Sequence, residues 1–163
     1  GIDNRNADAR QMEIYEFQRD KLLEEPLKLK RGNTMLEMRP VYTSYEREEY
    51  TAPFGIVPEE GKTVICARYP ERCVGLAYVE LCGEKGIVCK LALIDGYEDE
   101  TDLFLLGKAM LNYFDLHGAK SAEYPDLEKQ SEFCRKNAAR LGFRQDTDGV
   151  YRLNLTGYFS HSC

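Results

Sequence analysis

The order of elements predicted between Gly75 and Phe143 constrains the fold of this chain more than any other feature. Apolar strand-like segments are followed by an acidic loop, a helix, a short strand and a second helix. The last apolar segment, Ile87 to Ile94, is apolar on both alternating faces except at Lys90, which is typical of a central strand covered on both sides. The pattern predicts an α/β protein of the α+β type, with a mixed, mostly antiparallel central sheet and helices on both faces.

The segments around this stretch complete the prediction. Strands are expected where valine, isoleucine, cysteine and tyrosine cluster or alternate with polar residues, and helices where apolar residues recur at helical spacing. The predicted strands are residues 34–41, 62–69, 73–82, 86–94 and 121–124, and the closing hairpin pairs 143–146 with 150–155. The predicted helices are residues 7–23, 103–117 and 127–141, with a short one starting near Ser44, and residues 24–33 and 51–61 are expected to be a connector and a loop.

The composition excludes several classes of function. The chain has 163 residues, of which 43% are hydrophobic, and a net charge of -6. One compact core is expected, and a net negative charge disfavours binding to nucleic acid or to a membrane surface. With no signal segment and no apolar run of the ~20 residues that span a bilayer, the predicted location is cytoplasmic.

The six cysteines are expected to be small buried hydrophobic residues. None forms a Cys-x-x-Cys pair, only His117 and His161 could supply imidazole, and a core of this size needs no disulfides. The sequence therefore predicts no metal site for the cysteines.

The run Ala139-Arg140-Leu141-Gly142-Phe143 is similar to the end of the last helix in the GCN5-related N-acetyltransferases. Residues 62–155 also resemble the core of that family in the order of their elements, and residues 106–111 resemble the first turns of its cofactor helix. The resemblance implies an acyl-CoA N-acyltransferase-like fold. It divides the chain into an N-terminal helix and connector, residues 1–33, and an acetyltransferase-like domain, residues 34–163.

The resemblance also implies where acetyl-CoA would bind. In the family, the strand that matches Ile87 to Ile94 carries a bulge and splays away from a parallel neighbour, here Ser121 to Tyr124. The pantetheine arm of the cofactor bonds to main-chain groups in the gap, and Leu91, Ala92 and Leu93 occupy the matching positions.

The pyrophosphate loop of the family, Arg/Gln-x-x-Gly-x-Gly/Ala at a helix N-terminus, is matched poorly. Aligned on Gly107, the chain has Asp102 at the Arg/Gln position and Leu105 at the first glycine, with Lys108 as a nearby cation. Five carboxylates lie between Asp95 and Asp102 and are expected to repel a pyrophosphate.

The acidic loop has other interpretations that the sequence leaves open. Its carboxylates stabilise a helix start, which would make the loop a solvated turn. Oxygen ligands at Asp95, Asp99 and Asp102 suggest a Ca²⁺ or Mg²⁺ site, although the calcium-loop spacing is absent. Recognition of a basic partner is the third interpretation.

The candidates for catalysis follow from the resemblance and from residue type. Many family members use a tyrosine five residues before the final phenylalanine as general acid, and this chain has Ala138 there. Tyr124 is a tyrosine that could replace it. Glu80 and Glu123 lie on predicted strands and are the candidate bases that would deprotonate an amine.

Two functions remain open at this stage. The first is an N-acetyltransferase that uses acetyl-CoA and acts on a small-molecule or peptide amine, which segment 42–61 would bind. The second is a catalytically silent relative that serves as a binding or regulatory module, or as part of a longer two-domain chain. The sequence leaves both a monomer and a homodimer open.

Overall fold

Residues 26–159 are described in a computed structural model, and one eight-stranded sheet runs through them. The strands are β1 Leu27–Arg31, β2 Thr34–Val41, β3 Lys62–Tyr69, β4 Arg72–Cys82, β5 Lys85–Leu93, β6 Ser121–Tyr124, β7 Arg144–Gln145 and β8 Tyr151–Asn154. Their order is β1-β2-β3-β4-β5-β6-β8-β7, and every neighbouring pair is antiparallel except β5 and β6. The mixed, mostly antiparallel sheet is confirmed.

Helices cover both faces of this sheet, as predicted. Within the described residues they are α1 Ser44–Thr51, α2 Glu100–Leu116 and α3 Glu132–Leu141. On one face, Tyr50 of α1 packs on a small cluster that includes Val64 and Cys66. On the other face, α2 and α3 bury the larger core with Ile65 and Ala67. Alternate residues of β3 therefore point into two separate cores.

Local sequence signals explain where the helices begin. Each has a side chain that accepts a hydrogen bond from a first-turn amide: Thr43 before α1, Asp99 before α2 and Ser131 before α3. The predicted starts of α2 at Leu103 and of α3 at Leu127 are both wrong, because the helices begin at Glu100 and Glu132. Asp99 starts α2 three residues after Gly96, and the residues before Ser131 form a separate 3₁₀ turn.

The connector predicted for residues 24–33 was also wrong, because β1 lies within it. Leu27 and Leu29 are buried in the main core, while Lys28 and Lys30 point to solvent. β1 pairs with β2 through a turn in which Gly32 adopts a φ of 62°, a conformation that glycine adopts without strain. Five residues of alternation next to a proline are too short a signal to mark a strand by themselves.

The predicted helix at residues 7–23 lies outside the described residues, so the proposed division between residues 1–33 and 34–163 stays a prediction. None of the helices within residues 26–159 is long and apolar enough to cross a lipid bilayer.

Candidate functional site

Strands β5 and β6 separate after a short parallel pairing. They are in register over only three positions, beginning with Lys85 opposite Ser121. β5 then continues to Leu93, whereas β6 ends at Tyr124, because Pro125 follows and has no backbone N–H to extend the ladder. The wedge between the two strands is named the strand cleft below, and it confirms the splay expected for these strands.

A β-bulge bends β5 beside the strand cleft. The register with β4 skips one residue between Val88 and Lys90, so Cys89 is the extra residue. A bulge bends its strand and increases the local twist. This turns the second half of β5 away from β6 and confirms the bulge expected in this strand.

The main chain of Leu91 faces the strand cleft. Cys134 of α3 directs its thiol at the Leu91 carbonyl, with Sγ 3.8 Å from the oxygen, and the Tyr124 hydroxyl lies beside the Leu91 amide. Main-chain groups alternate in direction along a strand, so those of Leu93 face the same edge, while those of Ala92 face β4. Of the three residues predicted to meet the cofactor, two therefore present main-chain groups to the cleft.

Tyr124 closes the narrow end of the strand cleft. Its ring packs edge-on against Phe143, with centroids 5.9 Å apart, and the residue is 1% exposed. The buried hydroxyl makes no hydrogen bond of good geometry within residues 26–159. Burial, followed by the neighbouring Cys134, raises the pKa of the phenol, so it remains a proton donor at neutral pH. A buried donor without a protein acceptor is what a ligand in the cleft could satisfy.

A small cavity of about 110 Å³ lies along α3 beside the strand cleft. It is lined by Glu100 of α2 and by Phe133, Lys136, Asn137 and Arg140 of α3. Asn137 is 7% exposed, and its amide nitrogen has no hydrogen-bond partner within the described residues. The cavity thus combines two cationic side chains, of which Lys136 is paired with Glu132 at 3.4 Å, with a buried amide donor and the Glu100 carboxylate. The cations and the amide suit an anionic or amide-bearing ligand, whereas Glu100 opposes an anion.

The acidic loop that leads into α2 should repel an anionic ligand less than its sequence indicates. Asp102 is fully buried, where it accepts hydrogen bonds from Arg31 Nε at 3.1 Å, from the Tyr69 hydroxyl at 2.8 Å and from the Tyr97 hydroxyl. Asp99 is committed to the helix cap, where it accepts from the Asp102 amide at 2.9 Å. Two of the five carboxylates therefore already accept hydrogen bonds from protein donors.

The partners of Asp102 are held in their protonated forms. Burial and then the hydrogen bond to Asp102 raise the pKa of Tyr69 to about 12, and the same two causes raise the pKa of Tyr97. Burial alone would lower the pKa of Arg31, but Tyr69 and the carboxylates of Asp102 and Asp99 raise it overall. No three His, Cys, Asp or Glu side chains in residues 26–159 converge as metal ligands, so the Ca²⁺ or Mg²⁺ interpretation finds no support there.

Helix α2 starts at Glu100, seven residues before the Gly107 on which the pyrophosphate pattern was aligned. Gly107 and Leu105 lie well inside the helix, and the residues at its N-terminus are those of the loop 95–99. A Cβ at Gly107 would lie 2.5 Å from Leu141 Cδ1, so this glycine allows α2 and α3 to pack closely. Lys108 packs on Tyr158, with Nζ 2.6 Å from the Tyr158 hydroxyl and 4.2 Å from its ring centroid.

The candidate bases lie on the opposite face of the sheet from Tyr124. Glu80 is partly buried, and its carboxylate accepts a contact from the Cys82 thiol at 3.4 Å. Glu123 is paired with Arg152 at 3.0 Å and Lys85 at 3.3 Å, and these partners lower its pKa, which makes it a weaker base.

Ala138, at the position of the usual family tyrosine, is fully buried in the main core. No proton donor can come from it.

A larger cavity of about 460 Å³ lies on segment 42–61, which was expected to carry the acceptor. Its lining residues are Tyr42, Ser44, Arg47, Glu48, Pro58, Glu60 and Gly61. The guanidinium of Arg47 donates to the carbonyls of Lys62 and Glu59, at 2.6 and 2.8 Å, and so fixes the cavity wall. The side chains left to face an acceptor are mainly acidic and aromatic.

Sequence reasoning missed Cys134 and Asn137. Both were treated as ordinary positions of the last helix, although the structure brings them to the cleft and the adjoining cavity. A signal was present, because Asn137 is a polar residue next to Ala138 on the buried side of the helix. A buried amide on an apolar stripe usually has a partner, and here the protein supplies none to its nitrogen.

The fold has clear counterparts among solved structures. YhhK from Escherichia coli, in a solution NMR structure with bound coenzyme A, matches 73% of this chain and 98% of its own at 15% identity and a TM-score of 0.57. The ribosomal-protein-S18-alanine N-acetyltransferase from Escherichia coli matches 74% and 94% at 11% identity, also with a TM-score of 0.57. A protein from Bacillus halodurans matches 82% and 96% at 10% identity and a TM-score of 0.56.

No protein-family model and no curated protein sequence matches the chain. The structural likenesses therefore establish the fold at very low sequence identity. Together with the bulged, splayed strands, they show that this chain has the GCN5-related N-acetyltransferase fold, and the sequence of its loop before α2 departs from the usual pattern of that family.

Proposed function

We propose that the protein is an N-acetyltransferase that transfers the acetyl group of acetyl-CoA to an amine. The observation that carries the proposal is the strand cleft with two buried, unpartnered donors at its border, the Tyr124 hydroxyl and the Asn137 amide. Unsatisfied buried donors cost about 1–3 kcal/mol each, so their presence favours a ligand that accepts hydrogen bonds.

The cleft fits the chemical groups of acetyl-CoA in order. The main chain of Leu91 and Leu93 would pair with the pantetheine amides, and the Asn137 amide would donate to a carbonyl of the same arm. Lys136 and Arg140 would face the phosphates beside the N-terminus of α2. When bound, acetyl-CoA supplies an activated thioester. YhhK, which shares this fold, has been solved with coenzyme A.

Two side chains would carry out the proton transfers of the reaction, one as proton donor and one as base. Tyr124 holds its proton at neutral pH and lies beside Leu91, so it would donate to the departing sulfur. Glu80 is the better candidate base, since Glu123 is held by Arg152 and Lys85.

The acceptor is a small-molecule or peptide amine, and Glu48 and Glu60 in the 460 Å³ cavity would attract its cationic form. The cytoplasmic location stays a prediction.

A second candidate function is a silent binding module of the same fold. Ala138 favours it, because the usual proton donor of the last helix is absent. If the strand cleft is used, both functions require it to bind coenzyme A. Only the acetyltransferase requires turnover of acetyl-CoA.

The test is a thermal unfolding series with acetyl-CoA. A ligand at 100 times its Kd stabilises by about 2.7 kcal/mol, which raises the midpoint by several degrees for a chain of this size. Asn137→Ala should reduce the rise. The matched control is Asn112→Ala, another buried asparagine that lines neither cavity, and it should not reduce the rise. Tyr124→Phe should keep the rise and lower the release of coenzyme A thiol with an amine mixture. No rise at millimolar acetyl-CoA would refute the proposal.

A further inference from the structure

Cys134 is the only thiol within residues 26–159 whose sulfur faces the strand cleft. Its Sγ lies 3.8 Å from the Leu91 carbonyl oxygen, and its amide is held by Ser131 Oγ at 3.2 Å. The other described cysteines are placed elsewhere: Cys66, Cys73 and Cys89 pack with the core on the opposite face, and Cys82 is exposed at the end of β4.

A second, independent feature marks the same place as a ligand site. The Tyr124 hydroxyl is buried and lacks a hydrogen-bond partner in the described chain, and the neighbouring Cys134 contributes to the raised pKa of its phenol. The gap therefore contains the Cys134 thiol, the Tyr124 hydroxyl and the main chain of Leu91. Under the proposed function, this is also the region in which the thioester end of the pantetheine arm would lie.

We propose that Cys134 accepts the acetyl group from acetyl-CoA before it passes to the amine. The inference rests on the proposed function and adds a covalent step to it. The Cys134 sulfur attacks the thioester carbonyl carbon, so that a bond from this carbon to Cys134 forms and its bond to the coenzyme sulfur breaks. The Cys134 proton ends on the departing sulfur through the Tyr124 hydroxyl.

The step needs no oxidant or reductant, because one thioester is exchanged for another and one thiol for another. Holding the two reacting groups in one gap replaces a bimolecular encounter, which is the main source of acceleration for such an exchange. An acceptor amine then attacks the acetyl carbon on Cys134: the carbon–nitrogen bond forms, the bond from this carbon to the Cys134 sulfur breaks, and the proton lost by the amine ends on that sulfur, which restores the free thiol. The absence of a proton donor at Ala138 is consistent with a different arrangement of catalytic groups in this chain.

The test is mass spectrometry of the full chain after incubation with acetyl-CoA and no amine. One acetyl group is expected on Cys134, removable by hydroxylamine because it is a thioester. An excess of coenzyme A should also remove it, because the exchange is reversible, whereas acetylated lysines resist both treatments. Cys134→Ala should lose the label, and Cys82→Ala, which removes an exposed thiol, should keep it.

Cys134→Ser provides a second variant if Cys134→Ala does not fold. Thermal unfolding with acetyl-CoA distinguishes failure of the covalent step from failure of the proposed function. If acetyl-CoA raises the unfolding midpoint but Cys134 carries no acetyl group, the covalent step is refuted, while the binding of acetyl-CoA that the proposed function requires is retained. Label on Cys82 or on lysines alone refutes it in the same way. If acetyl-CoA does not raise the midpoint, the proposed function fails and the covalent step fails with it.

Discussion

Removal of the buried Asp102 carboxylate is expected to destabilise the protein more than any other change in the acidic loop. Asp102 ties three elements together, because its donors come from β1, β3 and the loop itself: Arg31, Tyr69 and Tyr97. In Asp102→Ala, all three donors lose their acceptor, while Arg31 keeps a weaker contact with Asp99 at 3.4 Å.

The size of the effect follows from these contacts. Breaking a buried ion pair by removing one partner typically costs about 3–5 kcal/mol. Arg31 is 27% exposed and can turn towards water and Asp99, which favours the lower end of that range. A loss of about 3 kcal/mol lowers the unfolding midpoint by roughly 6–12 °C for a domain of this size. Asp102→Asn retains one acceptor oxygen and should cost less.

The assay is urea and thermal unfolding followed by circular dichroism, since the chain has no tryptophan. The matched control is Glu98→Ala, which removes an exposed carboxylate from the same loop and should change stability by no more than about 0.5 kcal/mol. If Asp102→Ala is as stable as this control, the Asp102 carboxylate does not stabilise the loop. The conclusion that Arg31 and the two tyrosines compensate its charge would then be wrong.

Three further predictions concern the 110 Å³ cavity, the sheet and the pH dependence of stability. Glu100→Gln should tighten the binding of acetyl-CoA about fivefold in calorimetry, because a like charge at ~4 Å from a phosphate in water costs about 1 kcal/mol. An equal gain in affinity in the control variant Glu98→Ala would contradict an effect that is local to the cavity. Gly86→Ala should cost about 3 kcal/mol in urea unfolding, because a Cβ would lie 2.3 Å from the buried Phe114 ring, and an unchanged midpoint would refute this packing. Arg152 lowers the pKa of Glu123 in the folded protein from its usual 4.5. The ion pair therefore stabilises the fold above pH 4.5, and this stabilisation disappears as the pH falls through the lowered pKa of the folded state. Glu123→Gln should therefore be less stable than the parent at pH 7 and equal to it in strong acid, and a constant difference would exclude this linkage.

Much of the fold could be predicted because its signals are local. β2, β3 and β6 begin and end at the residues that alternation, proline and glycine indicated, and α1 begins at Ser44 as predicted. The bulge and the splay followed from a family resemblance carried by the order of elements. Strand β1 was missed because its stability comes from pairing with β2 and from burial of Leu27 and Leu29, which no five-residue window reveals.

The chain by itself determined the elements, their order and the composition of the loop before α2, because propensity, periodicity and turn chemistry act over a few residues. Only the tertiary structure decided what those residues face. It placed the Asp102 charge against Arg31, which is 71 residues away in the chain, and it gave Gly107 a role in helix packing. It also brought Cys134 to the main chain of Leu91, which is 43 residues away. Contacts at such separations depend on how the elements pack, and packing is fixed only when the whole core forms.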